Sequence, residues 1–162
     1  MQIGSKRSIE FSGGFPVGVH FEEGQHASLS RKVTLSDVEA FARVSGDHNP
    51  MHLDETFAAA SRFKKRIAHG LLSVSYISAV LGSRLPGPGT IYLSQSVSFR
   101  APVFLDDVIT ATVTVVSYRR DKQILTLRTE CTNQQGRVVV EGQAVCLVSD
   151  IERSADSLEA AS

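Results

Sequence analysis

The sequence predicts an α+β domain in which a curved antiparallel sheet wraps one buried helix. Residues 70–81 are almost all apolar or small, with Leu71, Leu72, Val74, Tyr76, Ile77, Ala79, Val80 and Leu81 interleaved by Ser73, Ser75 and Ser78. A helix that is apolar on most sides is a buried one. From Ile91 onward the chain alternates apolar and polar residues between turn residues. That is the period of strands with one buried and one wet face.

The elements follow in order. Residues 1–33 read as an irregular N-terminal extension, with a short strand near Phe15–Val19 or simply one extra strand. Ser36-Asp37-Val38-Glu39 has capping-box spacing. Val38, Phe41 and Ala42 then form a helical apolar stripe that ends at Gly46. A second short helix starts at Asp54 and carries Phe57, Ala58 and Ser61. The central helix opens at Gly70 and stops at Gly82, before the loop Pro86-Gly87-Pro88-Gly89.

Ile91–Phe99 reads as a strand with Ile91, Leu93, Val97 and Phe99 on one side. Gln95 falls among them, as a satisfied buried amide or a pocket-lining group. Ala101-Pro102 ends the run. Val108–Ser117, Gln123–Thr132 and Arg137–Val148 form a meander. Turn lengths set Val115 opposite Leu125, Val113 opposite Leu127 and Ala111 opposite Thr129. On the next hairpin they set Thr129 opposite Val140 and Leu125 opposite Ala144. These residues share one apolar face, and Thr126, Arg128 and Glu130 share the wetter one. The tail 151–162 is small and polar and is expected to fray. The domain is thus placed at 34–150.

Composition narrows the function. A chain of 162 residues suits one domain, or one subunit of an oligomer, with a sizeable core. The net charge is zero, so charge gives no argument for nucleic acid or an acidic membrane as partner. Lys64-Lys65-Arg66 and Arg119-Arg120 are too short for polybasic tails. Met1–Phe15 lacks the apolar run of a leader, and no stretch approaches a membrane span. Cys131 and Cys146 fall about 25 Å apart in the expected register, too far for a disulfide. Reduced thiols point to the cytoplasm.

The chemistry concentrates in Ser45-Gly46-Asp47-His48-Asn49-Pro50-Met51-His52-Leu53-Asp54. One Gly/Pro-bounded turn holds a carboxylate and an imidazole five positions apart. A continuous helix would put them on different faces, whereas a loop can aim both at one point. An Asp helix cap beside a surface histidine is the plainer reading of the turn alone.

Two further motifs decide between these readings. The turn, I-A-H-G-L-L at 67–72 and Y-L-S-Q-S-V-S-F-R-A-P-V-F-L-D-D at 92–107 together resemble the MaoC-like hot-dog proteins, and within them the (R)-specific enoyl-CoA hydratases. The likeness runs from Thr34 to Val148. It implies the hot-dog fold, a homodimer with the site at the subunit interface, and a CoA or acyl-carrier-protein thioester as substrate. It places the catalytic pair on Asp47 and His52, the oxyanion-binding backbone amide on Gly70, and supporting roles on Asn49 and Ser78. His48 departs from the pattern, where an apolar or aromatic residue is common, and reads as filler. His69 reads as structural, and His20 and His26 as surface residues.

These residues suit hydration of a 2-enoyl thioester. Histidine both takes and gives protons near neutral pH. Which of Asp47 and His52 activates the water stays open at this level. The Gly70 N–H, at the start of a helix, is an unpaired donor at the positive end of a dipole. A simple helix-start glycine is the alternative there, and a serine bonded to its own helix the alternative for Ser78. No His/Cys/carboxylate group has metal-ligand spacing, so neither metal nor cofactor is expected.

Three other functions share the fold: a 3-hydroxyacyl-carrier-protein dehydratase, a thioesterase and a non-catalytic acyl-CoA-binding subunit. A carrier-binding or CoA-binding rim is sought at Lys64, Lys65, Arg66 or Arg84. Chain length is expected to be set near Leu72, Tyr76 or Val97.

Overall fold

The computed structural model describes residues 20–148. The strand expected at Phe15–Val19 and the tail lie outside them. The element order is β1 (His26–Lys32), α1 (Leu35–Ser45), α2 (Pro50–Leu53), α3 (Glu55–Ala60), α4 (Gly70–Ser83), β2 (Ile91–Phe99), β3 (Val108–Arg119), β4 (Ile124–Thr132) and β5 (Val138–Leu147). The five strands make one antiparallel sheet in the order β1-β3-β4-β5-β2, with α4 against its concave face.

The fold begins ahead of the boundary drawn at residue 34. Strand β1 pairs with β3 from His26 opposite Thr114 to Lys32 opposite Val108. Its polar sequence, HASLSRK, hides the strand: it is an edge strand, and only Ala27 and Leu29 pack toward the core.

Helix α1 starts earlier than its expected cap. Thr34 is the N-cap: its hydroxyl accepts from the Asp37 N–H, and the Asp37 carboxylate accepts from the Thr34 N–H. The Thr34 hydroxyl also donates to the Asp37 carboxylate at 2.6 Å, and that bond, with the one from the Thr34 N–H, holds the Asp37 carboxyl below its ordinary value. Gly46 closes the helix in the left-handed conformation, at φ 77°. Asp54 caps α3 as expected.

The sheet keeps the expected faces but not the expected register. Val115 faces Leu127, Val113 faces Thr129 and Ala111 faces Cys131. Thr129 faces Gly142 and Leu125 faces Cys146. Each pairing is displaced by two residues, the net of turn and bulge: the β3–β4 turn shifts the register by three and the bulge at Val115/Ser117 takes one back, while the β4–β5 turn shifts it by one and the bulge at Cys131/Thr132 adds another. An even displacement preserves which face each side chain occupies. Hence Ala111, Val113, Val115, Leu125, Leu127, Thr129, Cys131, Ala144 and Cys146 all point into the core. A third bulge, at Tyr92/Ser94, turns Ile91 and Leu93 outward, away from Val97 and Phe99. Gln95 is the satisfied amide: it donates to the Thr129 hydroxyl at 2.8 Å and to the Ser96 carbonyl at 2.7 Å, and accepts from Tyr92.

Helix α4 is buried on one face only. Leu72, Ser73, Ile77, Val80 and Leu81 pack on the sheet, whereas Leu71, Ser75, Ser78, Ala79 and Gly82 are exposed. Cys131 and Cys146 are free and buried, six strand steps apart in the observed register, or about 20 Å. Burial pushes the Cys131 thiol up to about 12. Among the described residues no helix is long and apolar enough to cross a membrane.

Candidate active site

The expected catalytic pair meets at the mouth of a cavity of about 620 Å³. The chain between α1 and α4 folds there through a series of local hydrogen bonds. Ser45 Oγ accepts from the Asp47 N–H (3.2 Å), Asp47 Oδ1 from the Asn49 N–H (3.1 Å) and Asn49 Oδ1 from the Met51 N–H (3.0 Å). The last bond makes Asn49 the N-cap of α2, with Pro50 at the first helical position. His52 therefore sits on a one-turn helix, not in a continuous loop, while Asp47 precedes it in the turn. Asn49 bonds to both through its backbone: its N–H donates to Asp47 and its carbonyl accepts from the His52 N–H at 3.0 Å.

His52 is half-buried. Its Nδ1–H donates to the Ile67 carbonyl at 2.8 Å, which leaves Nε2 bare and available to a proton. Burial lowers its pKa from the ordinary 6.5; the Ile67 bond works in the opposite direction. The Asp47 side chain is 51% exposed. Oδ1 is occupied by the Asn49 N–H, and Oδ2 is turned toward the cavity side, 4.0 Å from His69 Nε2.

His69 belongs to the site rather than to the core alone. It lines the cavity, is 2% exposed, and its Nε2–H donates to the Asp47 carbonyl at 2.9 Å. Its ring lies against that of His52, with centroids 3.9 Å apart and planes tilted by 35°, and is backed by Phe41 at 5.0 Å. Asp47, His52 and His69 each offer one ligand atom within 4.8 Å of the others. The tertiary structure thus assembles a His/His/Asp group that linear spacing did not show. His69 Nε2, the ring nitrogen 4.0 Å from Asp47 Oδ2, already carries the proton it donates to the Asp47 carbonyl, so it presents a donor rather than a lone pair to that side of the group.

Gly70 opens α4 beside His69, and no side chain caps that end. Its first-turn N–H faces an anion-favouring site. The need for glycine has a second cause: a Cβ there would come 2.6 Å from the Phe99 ring. Phe99 is 54% exposed, so the ring can move, but it covers this part of the pocket.

Ser78 is not brought to the pair. It lies on the exposed face of α4, outside the cavity lining, and eight residues of helix set it about 12 Å along the axis from Gly70. The pocket wall also differs from expectation. Leu72, Tyr76 and Val97 do not line it; Phe41, Phe63, Leu71, Phe99, Val103 and Val140 do. Leu72 points to the core, one residue on from Leu71, which points to the opening. His48 is exposed and outside the lining.

The expected basic rim is partly neutralised. Arg66 pairs with Glu55 at 2.7 Å, Lys65 lies over the Phe104 ring at 4.1 Å, and Arg84 donates to the Ser28 carbonyl on β1. Arg62, over the Phe63 ring at 4.7 Å, and Arg100, paired with Glu141 through Nε at 2.8 Å, line the pocket. Arg62 lies in none of the three motifs; Arg100 lies within the 92–107 motif but was given no role there.

The chain matches a family model described as a MaoC like domain over residues 18–135. That span takes in residues 18–33, which the motifs had left outside. The (R)-specific enoyl-CoA hydratase of Rhodospirillum rubrum is 52% identical over 127 residues, covering 78% of this chain and 88% of the relative. The 3-hydroxybutyryl-CoA dehydratase of Methylorubrum extorquens is 43% identical over 134 residues, covering 82% and 84%. Among solved structures, the (R)-hydratase from A. caviae involved in PHA biosynthesis superposes with a TM-score of 0.78 at 47% identity, covering 80% of this chain and 98% of that one.

Proposed function

Because the chain belongs to the MaoC-like family and has the hot-dog fold, we infer that it is a hydro-lyase that reversibly adds water to a trans-2-enoyl-CoA and gives the (3R)-hydroxyacyl-CoA. The observation that carries the reading is the His52 Nδ1–H bond to Ile67, which leaves a bare Nε2 beside the Asp47 carboxylate at the open start of α4.

The roles follow from which atoms are free. Asp47 Oδ2 and His52 Nε2 hold one water between them. Nε2 takes a proton from that water as its oxygen bonds to Cβ, and the Cα=Cβ electrons move toward the thioester carbonyl. The Gly70 N–H stabilises the resulting enolate oxygen. His52 then delivers its proton to Cα on the same face, so addition is syn and the imidazole ends neutral. No cofactor enters this scheme.

A homodimer fits the surfaces left open. Leu71 on α4 and Ile91, Leu93 and Phe99 on the edge strand β2 are large apolar groups exposed in one chain. Their cover by a second copy would bury apolar surface along β2 and at the start of α4. Light scattering at micromolar concentration tests this. The buried free thiols accord with a reducing, cytoplasmic setting.

The activity is tested with crotonyl-CoA and purified protein. Loss of the enoyl-thioester absorbance without free thiol, and formation of the (3R) product, are expected. Free thiol would make the protein a thioesterase. Turnover of crotonyl-carrier-protein but not crotonyl-CoA would make it a carrier-dependent dehydratase.

A further inference from the structure

We propose that His69 is a positioning residue for the hydration, holding Asp47 through its Nε2–H and seating the His52 ring by close ring-to-ring contact. The inference rests on the hydratase reading above, but its structural basis is separate. His69 is the N-cap of α4 yet makes no capping bond with its side chain. Its polarity is therefore spent elsewhere, on the carbonyl of Asp47, at 2.9 Å. That bond is long-range, from the start of α4 back to the turn after α1.

The histidine is an uneasy core residue. It is 2% exposed, and its Nδ1 has no hydrogen-bond partner. A buried polar atom left unpaired is destabilising, so packing alone would favour a phenyl ring here. What phenylalanine lacks is the Nε2–H. The orphaned Nδ1 is the cost of placing a donor at the Asp47 carbonyl while keeping a flat ring between Phe41 and His52.

Its neighbours in the chain give the bond its purpose. Ile67 supplies the carbonyl that fixes His52, and Ala68 donates to Val103 at 2.8 Å, which anchors the segment to the pocket wall. Gly70 follows with the oxyanion donor. Four consecutive residues, 67–70, thus fix His52, tie to the wall, fix Asp47 and present the amide. His69 is the member that makes the position of Asp47 depend on the position of Gly70. Catalytic groups held slightly out of place lose about 10²-fold in rate without losing substrate affinity.

The test compares His69→Phe with His69→Gln in the full chain, using crotonyl-CoA. Phenylalanine keeps the flat ring and removes the donor; the Gln side-chain amide can set an N–H near the Nε2 position. His69→Phe is expected to lower kcat about 30-fold to 100-fold with KM within about twofold and the folded fraction by circular dichroism unchanged. His69→Gln should recover most of that kcat. Near-normal kcat in His69→Phe, a Gln variant no better than Phe, or a loss that tracks unfolding would each overturn the proposal. Wild type is assayed in parallel, so absence of turnover there indicts the hydratase reading instead. In either case ¹⁵N resonances of the imidazoles give an independent check: His69 must carry its proton on Nε2, and an Nδ1–H tautomer would overturn the proposal with or without turnover.

Discussion

The turn after α1 and the core between α4 and the sheet are built on opposite terms. In the turn, Asp47, Asn49 and His52 are held one by one through hydrogen bonds to backbone groups, and the reactive atoms are left open. In the core, Ile77, Leu81, Leu125 and Leu127 are fully buried and held by packing alone. The first region is reactive and contributes little to stability, since its polar groups exchange water for protein partners at small net gain. The second is stable and inert. Changes to one should therefore leave the other's property intact.

The largest effect belongs to the turn. Asp47→Asn and His52→Ala are each expected to lower kcat by about 10²- to 10⁴-fold while leaving the thermal midpoint close to wild type. Steady-state rates on crotonyl-CoA alongside calorimetry check this, and a large drop in midpoint would break the contrast. Its mirror image is Ile77→Ala, which should cost about 2–5 kcal/mol in urea unfolding. The fraction that stays folded should keep its kcat.

Gly70 sits where the two regions meet, so its substitution sharpens the comparison. An added Cβ must displace the Phe99 ring from a 2.6 Å contact. Gly70→Ala should lower kcat about 10- to 100-fold, with a stability change within about 1 kcal/mol. Phe99→Ala in the same chain should then restore activity. Failure to restore it would place the fault at the backbone amide rather than at the ring.

The smallest effect is on pH. Burial lowers the His52 pKa from 6.5, and the imidazole acts as a base when neutral. The acid limb of kcat/KM should therefore fall with a midpoint below 6.5, and should vanish in the residual activity of His52→Ala. The linked stability has the same sign. Below pH 6.5 the unfolded chain binds this proton before the folded one does, so stability declines as pH falls toward the folded value. For a half-exposed group that decline is slight.

Much of this was legible in the sequence because it is local. The Asp47–His52 turn, the Asp54 cap and the one-sided apolar strands follow from residue type and short spacing. The same holds for Gly70 at the start of a helix. Three features needed the folded chain. The strand register moved by two residues because turn conformation and bulges, each worth a residue or more, act together and belong to the strand pair, not to one strand. The burial of α4 on one face could not be read from a segment that is apolar all round, and Ser78 and Leu71 fell on its open face. Strand β1 was hidden by an edge-strand composition that is polar for good reason.

The sequence by itself determined the fold class, the family and the candidate pair Asp47 and His52. Those rest on periodicities and on three short motifs, at 45–54, 67–72 and 92–107. Only the tertiary structure decided that His69 joins them, that Phe99 covers Gly70, and that Phe41 and Phe63 rather than Leu72 and Tyr76 wall the pocket. The reason is separation along the chain. His69 lies 22 residues from the Asp47 carbonyl it binds, and no local rule of spacing reports which distant backbone group a buried side chain will satisfy.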